Sequence, residues 1–139
     1  MKKQLEPLNV LVGKWKTTGR TLDESSEELS ATDTYEWLDG GGFLVHRVAG
    51  SLGSKPLSSI EIIGLDGSHD DFIMHSYDSS GSAVIMHGKL DGENWTIEGK
   101  DHRFAGVIRG DRITGTWHMR DEAGRWSPWM EIVLTREAG

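Results

Sequence analysis

The sequence predicts an all-β protein, a single antiparallel up-and-down β-barrel of about ten strands with a short N-terminal helical cap. Turn signals recur at intervals of about 8–12 residues, the spacing expected of a barrel or sandwich. The chain contains 18 Gly and 6 Trp but only 3 Pro, which suits tight turns and large cross-strand side chains. A Gly-x-Trp sequence, Gly13 to Trp15, begins the first predicted strand, and Arg136 lies near the end of the last. This arrangement is typical of small barrels whose first and last strands meet.

Length, charge and cysteine content limit the class of protein. The 139 residues fit one domain, residues 1–139, that can bury a core without disulfides. A net charge of −7 argues against nucleic acid or an anionic membrane as partner. The chain has no Cys and therefore no thiolate metal site. No apolar run is long enough for a signal peptide or a membrane span, so we expect a cytoplasmic protein.

The N-terminal part supplies the cap and the closing contact. Leu5 to Val12 contains Pro7 and is predicted to form about one helical turn over the open bottom of the barrel. The first strand is expected from Lys14 to Leu22, followed by an acidic, solvated loop. Trp15 and Arg136 are predicted to form a cation–π pair that closes the barrel and contributes about 1–2 kcal/mol.

The next hairpins place a group of polar side chains on the inner face. A four-residue loop over Asp39 to Gly42 sets Trp37 opposite Leu44, and Tyr35 opposite His46, on the same face. One register for the following strands then directs Glu61 and Met74 inward. We therefore expect Tyr35, His46 and Glu61 to face the interior together.

Three later turns extend the inner face. Asp91-Gly92 is read as a two-residue type I′ turn, which pairs Gly88 with Trp95 and Met86 with Ile97. Gly110-Asp111 pairs Phe104 with Trp117.

In the last hairpin, a four-residue loop over Asp121 to Gly124 sets Met119 opposite Trp126. This register directs Trp126, Met130 and Arg136 inward and leaves Trp129 exposed. An exposed tryptophan is a candidate face for a homodimer.

The sequence motifs resemble a known family. They are Leu11–Trp15, Glu36–Leu44 (EWLDGGGFL), Ile113–Trp117 and the closing pair Thr135-Arg136. They are similar to those of a large, mostly uncharacterised bacterial family of calycin-like barrels, distantly similar to lipocalins, fatty-acid-binding proteins and nitrobindin. The resemblance covers nearly the whole chain and implies a barrel that holds a small, largely apolar ligand. It implies no reaction. Haem binding of the nitrobindin kind needs a His near the last strand, and Trp126–Arg136 contains none.

We predict a cavity, because about ten strands leave more interior space than eight. Its predicted ligand-binding residues are Tyr35, Trp37, His46, Glu61, Met74, Met86, Trp95 and Trp117.

Three functions remain open from the sequence. The preferred one is binding of a small hydrophobic molecule, oriented by Tyr35, His46 and Glu61. The second is an isomerase or cyclase that uses His46 and Glu61 as an acid–base pair; the third is haem binding through His46. His46 as a structural residue bonded to Tyr35 is the alternative to all of them. A two-histidine metal site at His75 and His87 lacks a clear third ligand, so no metal and no cofactor are predicted.

Overall fold

The computed structural model describes residues 2–67 and 71–138, and within them ten strands form one closed antiparallel barrel. Each strand pairs with its neighbours in the chain, and the first pairs with the last, so the predicted up-and-down barrel is confirmed. The elements are a 3₁₀ helix Lys3–Leu11 and the strands β1 Gly13–Thr21, β2 Glu28–Trp37, β3 Leu44–Leu52, β4 Lys55–Leu65, β5 Phe72–Asp78, β6 Ala83–Asp91, β7 Asn94–Glu98, β8 His102–Arg109, β9 Arg112–Arg120 and β10 Trp126–Arg136.

The N-terminal helix caps one end of the barrel, as predicted. Leu5, Leu8 and Leu11 are each 0% exposed. Because side chains three residues apart are eclipsed in a 3₁₀ helix, this spacing gives the helix one continuous apolar edge. The three leucines join the core cluster that contains Trp15. The capped end is therefore the end at which β1 begins and β10 finishes.

The predicted contact between Trp15 and Arg136 closes the barrel. The two residues are partners in the β1–β10 pairing, and the guanidinium carbon lies 4.1 Å from the centroid of the indole ring. The Trp15 indole N–H donates to the Leu11 carbonyl at 2.8 Å. Arg136 donates to the Val10 carbonyl and to Asp111 Oδ1, each at 2.9 Å. These contacts join the helix, β1 and β10 at one point.

The registers of β2 to β5 agree with the sequence prediction. Tyr35 pairs with His46, His46 with Glu61, and Glu61 with Ser76. Because residues that face each other across antiparallel strands share a face, this run of pairs places all four side chains on the inner surface.

The register predicted for the β6–β7 hairpin is wrong by two residues. Leu90 pairs with Trp95, and Gly88 pairs with Ile97. The two-residue loop begins at Gly92, whose φ is +60°, rather than ending there. Gly88 leaves room for the Trp95 ring, since a Cβ at position 88 would lie 2.6 Å from it. A shift of two residues preserves the faces, so the predicted inner side chains still point inward.

The faces predicted for Trp126 and Trp129 are also wrong. Trp126 pairs with Arg120, so the loop between β9 and β10 contains five residues rather than four. This one-residue difference reverses the faces of the residues that follow the loop, until the bulge between Pro128 and Met130 restores the predicted faces from Met130 onward. Trp126 therefore lies outside, 4.0 Å from the guanidinium carbon of Arg103. Trp129 lines the interior cavity, which removes the observation on which a homodimer face was predicted.

Substituting Gly115 tests the packing of a pair of glycines on β8 and β9. Gly106 pairs with Gly115, beside Phe104 and Trp117, whose ring centroids are 5.2 Å apart. A Cβ at position 115 would contact the Phe104 ring and lie 2.7 Å from the Ala105 carbonyl. We expect Gly115→Ala to lower the free energy of unfolding by about 1–3 kcal/mol, as measured by urea denaturation.

Gly42→Ala is the control for that substitution, because a Cβ at position 42 meets nothing within 4 Å. Equal effects of the two substitutions would contradict the packing argument.

Candidate functional site

A cavity of about 460 Å³ lies inside the barrel. It is bounded by side chains from β1 through β10. Six of the residues predicted to bind a ligand line it: Tyr35, His46, Glu61, Met86, Trp95 and Trp117.

Two predicted residues lie elsewhere. The Trp37 indole N–H donates to Asn9 Oδ1 at 2.9 Å, which places Trp37 against the N-terminal helix at the capped end. Met74 is 1% exposed and belongs to the core cluster. Neither side chain lines the cavity, so we leave both out of the proposed site.

The cavity has two chemically different walls. Apart from His102, the wall from β6 to β10 is apolar and rich in aromatic rings: Val84, Met86, Trp95, Ile97, Phe104, Ile113, Trp117, Trp129, Met130, Ile132 and Leu134. The wall from β1 to β5 carries the polar side chains Thr17, Asp33, Tyr35, His46, Ser59, Glu61 and Ser76.

Five of those polar side chains form a hydrogen-bonded chain across five neighbouring strands, which we call the polar chain. Thr17 Oγ1 donates to Asp33 Oδ1, and Ser76 Oγ donates to Glu61 Oε2. His46 lies between the two carboxylates, with Nε2 2.6 Å from Asp33 Oδ2 and Nδ1 3.0 Å from Glu61 Oε1. Each carboxylate oxygen and each imidazole nitrogen therefore has a partner.

This environment determines the charge of His46. Burial alone would lower its pKa, but the hydrogen bonds to Asp33 and Glu61 and the charges of both groups outweigh burial and raise the pKa from 6.5 to about 9. His46 is thus an imidazolium at neutral pH, and both of its N–H groups donate to carboxylates. It has no free nitrogen lone pair with which to accept a proton or bind a metal.

Tyr35 covers the imidazolium and leaves its hydroxyl open to the cavity. The two rings stack, with centroids 3.9 Å apart and planes 9° apart. Burial first, and then the charges of Asp33 and Glu61, raise the pKa of Tyr35 well above its ordinary value. In the part of the chain that the structure describes, no buried side-chain N or O atom lacks a partner, and no hydrogen bond engages the Tyr35 hydroxyl. The hydroxyl therefore borders cavity space, where a ligand can reach it.

Asp33 and Thr17 are the members of the polar chain that the sequence analysis missed. Asp33 precedes Tyr35 by two residues, and Thr17 follows Trp15 by two. Strand alternation places each on the same face as its neighbour. The alternation was therefore a sufficient signal for their direction. Their hydrogen bonds, in contrast, depend on side-chain geometry that alternation does not give.

The cavity reaches solvent beside the β5–β6 hairpin. β7 pairs with β6 only from His87 to Asp91, so the first half of β6 has no β7 partner within the described strands. Tyr77 and Val84 line the cavity although they are 48% and 46% exposed. Asp78 lies in the same hairpin and also lines the cavity. Hydrogen bonds, chiefly from the Ser80 side chain, lower the pKa of Asp78.

Residues 2–67 and 71–138 contain no group of three or more His, Cys, Asp or Glu placed to hold a metal ion. Of the two histidines considered above as a metal site, His87 has its Nε2 atom 3.4 Å from Asp66 Oδ2, and His75 pairs with Ile85 on β6. No helix among the described residues has the length and apolar character needed to cross a membrane.

The polar chain makes stability depend on pH. Because the pKa of His46 is about 9 in the folded protein against 6.5 ordinarily, its contribution is complete below about pH 6.5 and is lost as the pH rises through 9. We expect the free energy of unfolding to fall by about 3 kcal/mol over this range. Urea denaturation at pH 6, 7.5 and 9.5 measures the change. If the free energy of unfolding of His46→Gln fell equally over this range, the pH dependence would not come from His46.

Comparisons with known proteins agree with the fold. A family model described as a protein of unknown function (DUF1579) matches residues 2–136. No curated protein matches the chain. Among solved structures, the chain is similar to Rv2717c from M. tuberculosis, with a TM-score of 0.78, 17% identity and coverage of 99% of each chain. It is also similar to the S-type phycobiliprotein lyase CPES from Guillardia theta, with a TM-score of 0.55, 9% identity and coverage of 96% of this chain and 92% of that one. These likenesses agree with the predicted antiparallel barrel fold.

Proposed function

The chain belongs to the DUF1579 family of proteins of unknown function, and on that premise we propose that its barrel binds a small, largely apolar molecule in the interior cavity. One observation carries the proposal: a cavity of about 460 Å³ with a largely apolar and aromatic wall. Small-molecule sites typically enclose about 300–1,000 Å³ and combine apolar walls with a few placed polar groups. The cavity has both properties.

One open polar group is the hydroxyl of Tyr35. The polar chain fixes this side chain, because the Tyr35 ring stacks on His46 and both ring nitrogens of His46 are held by carboxylates. A side chain held in one position loses little conformational freedom when a ligand binds. Tyr35 is therefore a preorganised hydrogen-bonding group opposite the apolar wall.

The geometry favours binding over proton transfer by His46. A general base needs a free lone pair near its substrate, and both nitrogens of this imidazolium already donate to Asp33 and Glu61. For the same reason, His46 has no free nitrogen with which to bind a haem iron. The observations therefore support neither the isomerase or cyclase nor the haem protein as strongly as they support a ligand carrier.

Filling the cavity is expected to weaken binding. Val48 lines the cavity, and its neighbour Ala49 is exposed on the other face of β3. We expect Val48→Trp to weaken binding of the uncharged fluorescent probe N-phenyl-1-naphthylamine by about tenfold or more, since the larger side chain occupies the ligand volume. Titration of probe fluorescence measures the affinity.

Ala49→Trp is the matched control and is expected to bind the probe like the unmodified protein. Probe binding that is insensitive to Val48→Trp, or absent from the unmodified protein, would contradict a ligand-binding cavity.

A further inference from the structure

The charges on the cavity wall are mostly negative. Asp33, Glu61 and Asp78 line the cavity. Neither Lys nor Arg is among the described residues that line it, and the His46 imidazolium lies between two of these carboxylates. The polar chain therefore carries one net negative charge, and Asp78 adds another where the cavity meets solvent.

The positive charge of His46 is not available to a ligand. Its two N–H groups donate to Asp33 and Glu61 at 2.6 and 3.0 Å, and the Tyr35 ring covers its face. An anionic ligand would lose its hydration without gaining a cationic donor, and it would lie near two carboxylates. Burial of an unpaired charge is costly, so the cavity disfavours carboxylates.

Other features of the cavity suit a cation. Tyr35 is 8% exposed, lines the cavity and has a hydroxyl oxygen free to accept a hydrogen bond. Trp95, Trp117 and Trp129 line the cavity together with Phe104. Aromatic faces attract cations, most strongly where water is excluded. A positively charged group beside Tyr35 therefore meets π faces on one wall and net negative charge on the other.

We infer that the ligand is a lipophilic amine, bound as its ammonium ion, with the cationic group near Tyr35 and the apolar body against the aromatic wall. This inference rests on the proposed function, since it names the class of molecule that the same cavity takes. What it adds is that the cavity selects among ligands of equal size by their charge.

A matched series tests charge selection: 1-naphthalenemethanamine, 1-naphthalenemethanol and 1-naphthoate, titrated at pH 7 by isothermal calorimetry. We expect the amine to bind more tightly than the alcohol, and its affinity to exceed that of the carboxylate by about tenfold or more. Equal or tighter binding of the alcohol or the carboxylate overturns the inference but leaves the binding cavity in place. Binding of none of the three overturns the proposed function as well.

Two variants locate the selecting charge. Glu61→Gln removes one charge from the polar chain and is expected to reduce the preference for amine over carboxylate, whereas Glu36→Gln removes an equal charge from the exposed surface and leaves it unchanged. If Glu61→Gln does not fold, Asp78→Asn in the exposed β5–β6 hairpin is expected to reduce the preference in the same direction. An unchanged preference in whichever of these two cavity variants folds overturns the assignment of selectivity to the cavity carboxylates.

Discussion

Replacing His46 with Gln is expected to lower the free energy of unfolding by about 3–5 kcal/mol at pH 7, the cost of breaking a buried ion pair by removing one partner. Asp33 and Glu61 are 7% and 8% exposed, and His46 is the cation that compensates both. A glutamine amide is uncharged; it donates to one carboxylate and presents its carbonyl oxygen to the other, so one buried carboxylate oxygen is left without a donor. Urea denaturation monitored by tryptophan fluorescence measures the loss.

His75→Gln is the matched control for this substitution. His75 is the residue before Ser76 on β5 and lies on the opposite face of the strand. We expect it to change stability by about 0.5 kcal/mol or less, as is usual for substitutions outside such networks. A similar small effect of His46→Gln would show that the polar chain does not carry the stability assigned to it.

Replacing Trp15 with Ala is expected to lower the free energy of unfolding by about 3–5 kcal/mol, the usual range for truncating a buried aromatic side chain. Trp15 is 0% exposed, its N–H holds the N-terminal helix through Leu11, and its ring stacks against Arg136 of the last strand. The substitution therefore removes core volume and the contact between the two closing strands together. Thermal and urea denaturation are suitable measurements.

Trp126→Ala is the control that shows how much stability a cation–π contact contributes where it does not close the barrel. Trp126 also stacks with an arginine, Arg103 at 4.0 Å, but on the outside of the barrel. We expect this variant to lose about 1 kcal/mol, the value of a partly exposed cation–π pair. If Trp15→Ala cost no more than Trp126→Ala, the closing role of Trp15 would be refuted.

The sequence predicts the barrel well where turn length determines register. The loops at Asp39–Gly42 and Gly110-Asp111 place Tyr35 opposite His46 and Phe104 opposite Trp117, as the structure does. It fails where the position or the length of a turn is misjudged, as in the β6–β7 hairpin, whose loop begins at Gly92. The loop before β10 has five residues rather than four, because Trp126 pairs with Arg120, and the faces of Trp126 and Trp129 are exchanged as a result. The bulge between Pro128 and Met130 then returns Met130 to the predicted face, which counting from the turn does not reveal.

The candidate site is predictable in position but not in chemistry. Alternation along β2, β3 and β4 brings Tyr35, His46 and Glu61 to one face. It does not show that Asp33 takes the second nitrogen of His46 at 2.6 Å, because side-chain rotamers decide that contact. This contact changes the interpretation of His46 from a candidate base to a fixed cation, and it leaves Tyr35 as an open polar group.

The six tryptophans provide the most direct test of the binding cavity. Trp95, Trp117 and Trp129 line it, whereas Trp15 and Trp37 lie at the capped end and Trp126 lies outside. Each indole N–H gives its own signal in a ¹H–¹⁵N correlation spectrum, assignable by single Trp→Phe substitutions. On addition of N-phenyl-1-naphthylamine, we predict that the signals of the three lining tryptophans shift and that the other three remain in place. Shifts confined to Trp126, or no shift at the three lining tryptophans, would contradict binding inside the barrel.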